Sequence, residues 1–167
     1  GESALSWPSN ISSTPVEVSE RNGPLHCTFK RLRPGSGGAG RTSGGLGQDI
    51  EFVSTSARPL LAMFMTERTK FPAAGLDGGG CGGVGAVEIN GVPVEVHKQH
   101  VLEKGDKVLL RTPGGGGYGD PAERTQAQQD DDLRMGVCLA PSLLENATDA
   151  RGENMLKKVM PQDVAAL

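Results

Sequence analysis

The sequence predicts a mainly β protein: short strands and hairpins joined by glycine-rich loops, followed by a helical C-terminal tail. Three observations carry that expectation. Alternating or β-branched runs recur as far as residue 113, the mark of half-buried strands. Between them lie three glycine clusters, 35–47, 75–85 and 114–119, which hold 19 of the 25 glycines. From Asp120 onward the chain turns to helix-compatible residues. The expected division is therefore a β-rich region over 1–119 and a helical or loosely held tail over 120–167.

Each element has its own reason. "PVEVSE" (15–20) and "LHCTFKRL" (25–32) read as two strands, and the "RNG" between them supplies hairpin-turn residues. In the second run Leu25, Cys27, Phe29 and Arg31 alternate with His26, Thr28, Lys30 and Leu32, one face buried and one wet. "QDIEFVS" (48–54) and "RPLLAMFMTE" (58–67) follow, the latter with Pro59 at its start, where a strand tolerates it. "VGAVEINGVPVEVHK" (84–98) is a hairpin around Asn90-Gly91, the dipeptide that type I′ turns favour because both central residues need φ > 0. "LEKGDKVLLRT" then gives a Gly105-Asp106 turn and a strand at about 106–112.

Asp120-Pro121-Ala122-Glu123 is a helix-start signature. Asp120 serves as N-cap, Pro121 fits the first helical position, and Glu123 is placed to close a capping box. The helix is expected to continue through "PAERTQAQQDDDLRMGVCL" (121–139), with Asp130-Asp131-Asp132 as a solvated charge run. The end, "SLLENATDARGENMLKKVMPQDVAAL" (142–167), has weak amphipathic character and reads as a docked helix or a loose tail.

Composition removes several function classes. A net charge of −3, with 4% aromatic residues and no basic stripe, argues against a nucleic-acid platform. No apolar stretch approaches the roughly 20 residues of a membrane span, and no signal-peptide pattern opens the chain. Cys27, Cys81 and Cys138 form no C-x-x-C pair, so neither a zinc knuckle nor a disulfide framework is supported; reduced thiols in a cytoplasmic protein are expected. His97 and His100 lack a carboxylate or cysteine at ligand spacing and read as surface residues. His26 and Cys27 alternate in direction and cannot share a site from a regular strand. No catalytic set can be chosen by spacing, because such sets are recognised by geometry.

The stretch "RTPGGGGYGDP" (111–121) is the sharpest local question. Gly114, Gly116 and Gly119 satisfy G-x-G-x-x-G between a strand and a helix. The second parallel strand of a dinucleotide fold is missing, since "QAQQDDDLRMG" is no buried strand. Gly117 is followed by Tyr118-Gly119 rather than Lys-Ser/Thr, so the P-loop fails as well. Two readings stay open: glycines packing closely against another backbone, or N–H groups at a helix start receiving an anion.

Several stretches together resemble the B-type subunits of ATP-dependent hydantoinases and 5-oxoprolinases, with the related acetone and acetophenone carboxylases. They are "PSNISSTPVEVSE" (8–20), "LRPGSGGAGRTSGGLGQDIEF" (32–52), "FPAAGLDGGGCGGVG" (71–85), "LEKGDKVLLRTPGGGGYGDPAER" (102–124) and "DDDLRMGVCLAP" (130–141), in the family's order. The family's B chain is several hundred residues long, and this chain resembles its C-terminal part; residues 141–167 depart from the pattern. A split small subunit or a processed product is expected, working within a larger hetero-oligomeric fold.

The resemblance implies a mechanism. An A-type subunit with a kinase-like nucleotide site spends ATP to phosphorylate a carbonyl or enolate oxygen. The activated species then reacts in the B-type part, where His and Asp from its N-terminal portion hold a divalent metal. None of those ligands maps onto this chain, so ATP and metal belong to the complete complex and not mainly to this polypeptide. The implied partners are the A-type subunit and the remaining B-type chain, and the implied substrate is a hydantoin, 5-oxoproline or a lactam. The alternatives are the small subunit of a ketone carboxylase and a non-catalytic assembly module. Catalytic residues are unassigned; the candidate active-site or interface loop is Gly114, Gly115, Gly116, Gly117, Tyr118 and Asp120, with Arg41.

Overall fold

The computed structural model describes residues 14–138, so the expectation for 142–167 lies outside the described residues. The first element departs from the strand expected at 15–20. Val16–Asn22 is a helix, α1, entered from Pro15 and closed where the Gly23 N–H meets the Ser19 carbonyl at 3.0 Å. The "RNG" segment is thus a helix end and no hairpin turn. The reason is visible in the contacts. Glu20 Oε1 accepts from the Cys27 backbone N–H at 2.8 Å and pairs with His26 Nδ1 at 2.9 Å, which ties one helical turn to the strand that follows. α1 buries no residue, so its V-E-V alternation marks no sheet face.

The strands are β1 (Leu25–Arg33), β2 (Gly47–Ser54), β3 (Leu60–Met63), β4 (Ala86–Ile89), β5 (Val92–Pro93), β6 (Gln99–Leu102) and β7 (Lys107–Arg111). Five of them form an antiparallel sheet in the order β1-β2-β7-β4-β5, while β3 and β6 form a separate pair. The hairpin at Asn90-Gly91 is present, with φ of 51° and 77° at its two central residues.

β1 corrects a second expectation. A bulge between Cys27 and Phe29 pairs Cys27 with Phe52 and Phe29 with Glu51. Partners across a ladder share a face, so Cys27 and Phe29 lie on opposite faces rather than one. Phe29 joins the outer side, where the Arg31 guanidinium sits 4.6 Å from its ring centre. That side carries an ionic row in which Arg31 approaches buried Asp49 at 3.8 Å and Arg111 pairs with Glu88 at 3.2 Å.

The other side of the sheet makes the core. Val87 and Val108 are buried against Leu102 of β6, with Leu60, Ala62, Phe64, Ile89 and Leu110 packed around them. Two layers of sheet therefore enclose a small aliphatic core.

Register also decides where the loops go. β2 starts opposite the end of β1, since Gly47 pairs with Arg33; Asp49 and Ala86 both pair with Arg111. The end of β1, the starts of β2 and β4 and the end of β7 thus lie at one end of the sheet. Those are the four points from which the three glycine clusters run.

Candidate functional site

The three clusters converge there and bond to one another in all three pairings. Between the first and third, the Gly38 N–H donates to Gly115 O (2.8 Å) and the Gly115 N–H to Gly45 O (2.9 Å). Between the second and third, the Gly114 N–H donates to Gly83 O (3.0 Å) and the Gly117 N–H to Gly80 O (2.9 Å). Between the first and second, the Gly80 N–H donates to Ala39 O (2.7 Å) and the Gly83 N–H to Ser36 O (2.7 Å). In a flat sheet the outer two chains would not touch; here every pair does, so the clusters form a bundle of backbones. Close approach explains the composition. A Cβ on Gly114 would stand 1.7 Å from Ser36 O, a separation no side chain can occupy.

The bundle is rooted by Arg33 and Ser36. Arg33 Nη2 donates to Val84 O at 3.0 Å, and Ser36 Oγ donates to Arg33 O at 2.6 Å while accepting from the Gly47 N–H at 2.8 Å. Burial pushes the Arg33 guanidinium below its ordinary value, the Asp49 carboxylate opposes that shift, and Arg111 adds to it. Tyr118 closes the far end, bridged to Thr42 on one side and Leu76 on the other.

The proposed loop residues separate into two groups. Gly114–Gly117 lie inside the bundle. Tyr118, Asp120 and Arg41 come together at its edge. The Arg41 guanidinium lies 5.6 Å from the Tyr118 ring centre and pairs with Glu123 at 3.1 Å. Asp120 Oδ1 accepts from the Ala122 N–H at 2.8 Å, as an N-cap does.

The helix it caps differs from the one expected. Pro121–Glu123 is a single 3-10 turn, Arg124 is extended, and a second helix, α2, spans Gln126–Arg134. Glu123 turns to Arg41 instead of back to Asp120, so no capping box forms there. It forms at Thr125, whose side chain accepts from the Gln128 N–H while the Gln128 side chain accepts from the Thr125 N–H. The T-x-x-Q signal in "TQAQ" is a capping box in the sequence, overlooked beside Asp120-Pro121.

The acidic run is not wholly solvated either. Arg124 holds Asp132 through Nε (2.8 Å) and Nη2 (2.7 Å), both side chains mostly buried, and donates from Nη1 to Arg41 O (2.8 Å). Arg124 thereby pins α2 to the first glycine cluster. Sequence reasoning passed over it because its partner lies beyond an unforeseen helix break.

Two hollows flank the bundle. One of about 310 Å³ lies between the first cluster and α2, bounded by Gly38, Leu46, Pro121, Arg124 and Cys138. The other, about 670 Å³, is bounded by Thr42, Gln48, Arg68, Thr112, Gly115 and Tyr118. The walls offer hydrogen bonding, shape and charge, from Arg124 and Asp132 in the first hollow and from Arg68 in the second. Burial, reinforced by Asp132, pushes the Cys138 thiol up, and burial with Glu20 does the same to Cys27, so neither is an activated nucleophile. All three cysteines are free. His97 is exposed, whereas His100 is half-buried against Phe64 with Nε2 2.8 Å from Glu95 O. Among the described residues no group of three or more His, Cys, Asp and Glu could hold a metal ion. None of their helices is long and apolar enough to cross a membrane.

The sequence model for hydantoinase B/oxoprolinase matches residues 1–121. An uncharacterized protein of Methanocaldococcus jannaschii is 35% identical over 67% of this chain and 20% of its own length. The 5-oxoprolinase PfmaA of Pestalotiopsis fici is 31% identical over 79% of this chain and 11% of its own. The chain thus spans a fifth or less of the length of these relatives. Among solved structures, the ATP-dependent caprolactamase of Pseudomonas jessenii superposes with a TM-score of 0.65 at 22% identity, covering 90% of this chain and 28% of that one. Nucleotide-free acetone carboxylase superposes at 0.63 and 18% identity, covering 91% and 26%. Those two likenesses establish a shared fold, and the match over residues 1–121 places the chain in the hydantoinase B/oxoprolinase family.

Proposed function

We propose that this chain is part of an ATP-dependent enzyme that opens a cyclic amide after a partner subunit phosphorylates its carbonyl oxygen. Phosphorylation turns a poor amide oxygen into a leaving group and supplies driving force that an unactivated ring lacks. ATP sits on an A-type subunit in this reading, and the divalent metal on the remaining B-type chain, in a cytoplasmic hetero-oligomer. The part played by this polypeptide is to brace the active-site region, and the glycine bundle is the observation that supports it. The N–H groups of Gly114, Gly115 and Gly117 are spent on neighbouring carbonyls, a Cβ at Gly114, Gly116 or Gly117 would collide with backbone, and neither Cys27 nor Cys138 is an activated nucleophile.

A cyclic amide is preferred over a ketone because the relatives of higher identity include a 5-oxoprolinase, whereas the acetone carboxylase likeness rests on fold alone. The test is a substrate panel on the co-purified complex. ATP turnover should be stimulated by a hydantoin, 5-oxoproline or a lactam. Stimulation only by a ketone with bicarbonate would replace this reading with the carboxylase one, and turnover indifferent to removing this chain would leave it an assembly module.

A further inference from the structure

The run "LLAMFM" (60–65) is apolar at every position, the pattern of a strand buried on both faces. The structure buries only one of them. Leu60, Ala62 and Phe64 face the core, while Leu61, Met63 and Met65 stand 66%, 57% and 81% exposed. On β6, Leu102 is buried, and Val101, paired directly with Leu61, is 61% exposed. The apolar row on β3 thus meets β6 at Val101, while Gln99 stands opposite Met63. Among the described residues β3 and β6 have only each other as ladder partners, so each keeps an open edge, and a two-stranded pair is marginal on its own.

We infer that the outer face of β3 and β6 is the seat of the rest of a hydantoinase-B-type polypeptide, which covers the apolar row and extends the pair into a larger sheet. This rests on the proposed complex. The occupant is chosen because the solved relatives contain this fold, over about nine tenths of the chain, as little more than a quarter of a longer one. The surrounding three quarters must lie against some surface of it. Among the described residues, the two-stranded pair with two open edges and exposed Leu61, Met63, Met65 and Val101 on its outer face is the surface suited to sheet extension. A patch of this kind left bare would be a liability for the chain alone.

A photo-crosslinking residue at position 63 of the full chain, activated in its own cells and followed by peptide identification, tests the seat without adding charge. The expected adducts are peptides from a hydantoinase-B-type polypeptide, outside the region that this chain matches. Adducts to a second copy of this chain, to an unrelated protein, or to nothing overturn the inference. In parallel, Leu61→Asp and Val101→Asp should lower recovery of that polypeptide with the tagged chain at least tenfold. Met135→Asp, equally exposed but on the α2 side, should not. Equal loss or equal retention in all three overturns the inference. A complex captured through position 63 that turns over no ATP would sink the proposed function and leave the interface standing. Full turnover by a complex carrying Leu61→Asp would do the reverse.

Discussion

A Cβ added at Gly117 would stand 1.9 Å from Ala39 O, whereas at Gly115 the nearest atom would be the Gly45 nitrogen at 3.2 Å. The first cannot be relieved by a side-chain rotation, because the obstacle is backbone hydrogen-bonded on the far side of the bundle. The second needs a shift of a few tenths of an ångström. Gly117→Ala is therefore expected to cost about 3 kcal/mol or more, at the upper end of overpacking effects, and Gly115→Ala less than about 1.5 kcal/mol. Urea midpoints of the two variants check this, and equal midpoints would contradict the bundle. The sequence marks Gly114–Gly117 as a block, and close packing was one of its two readings. It could not rank them, because four identical letters say nothing about which Cβ vector meets a neighbour; that follows from the register with residues 35–45 and 75–83.

Elements show the same division between what is local and what is not. The Asn90-Gly91 turn is legible because its conformation is demanded by two adjacent residues. α1 is illegible because Val16 and Val18 mimic strand alternation, and the contact that decides, Glu20 with the Cys27 N–H, is made seven residues away. For α2 the deciding signal was present at Thr125, so Thr125→Ala should cost about 0.5–2 kcal/mol. It should also loosen the Arg124–Asp132 contact, read as faster amide exchange at Asp131 and Asp132 than in the parent. The turn at 103–106 adds a pH test. Asp106 accepts from the Asn90 side chain at 2.9 Å and from the Glu103 N–H at 2.7 Å, which holds its carboxyl below the ordinary aspartate value of 3.8. A lowered folded-state pKa means that this contribution is present above the unfolded value and is lost as pH falls through the folded one. Asp106 should therefore titrate below 3.8 by NMR, and Asn90→Ala should move it back towards that value.

At the scale of the whole molecule, the mainly β class was readable from period-2 runs, but the order β1-β2-β7-β4-β5 was not. Periodicity assigns faces to a strand and leaves its partners open. The consequence is that the convergence of the glycine clusters at one end of the sheet could not be foreseen from any one of them. The core they surmount is small: Val87, Leu102 and Val108 are its buried hydrophobic residues among those described. Leu102→Ala should cost about 2–5 kcal/mol, a large share of the 5–15 kcal/mol typical of a domain, and thermal unfolding would show it. The bundle also determines what the isolated chain can bind. A phosphate cradle needs free N–H donors and tolerates, or recruits, positive charge. Here the N–H groups of Gly114, Gly115 and Gly117 already donate to Gly83, Gly45 and Gly80. At the adjoining helix start the Asp120 carboxylate occupies the place an anion would take, on the Ala122 N–H. Calorimetric titration of the purified chain with ATP and magnesium should accordingly give no saturable heat. Micromolar binding abolished by Gly117→Ala in a chain that still folds would show that the bundle opens to receive a nucleotide.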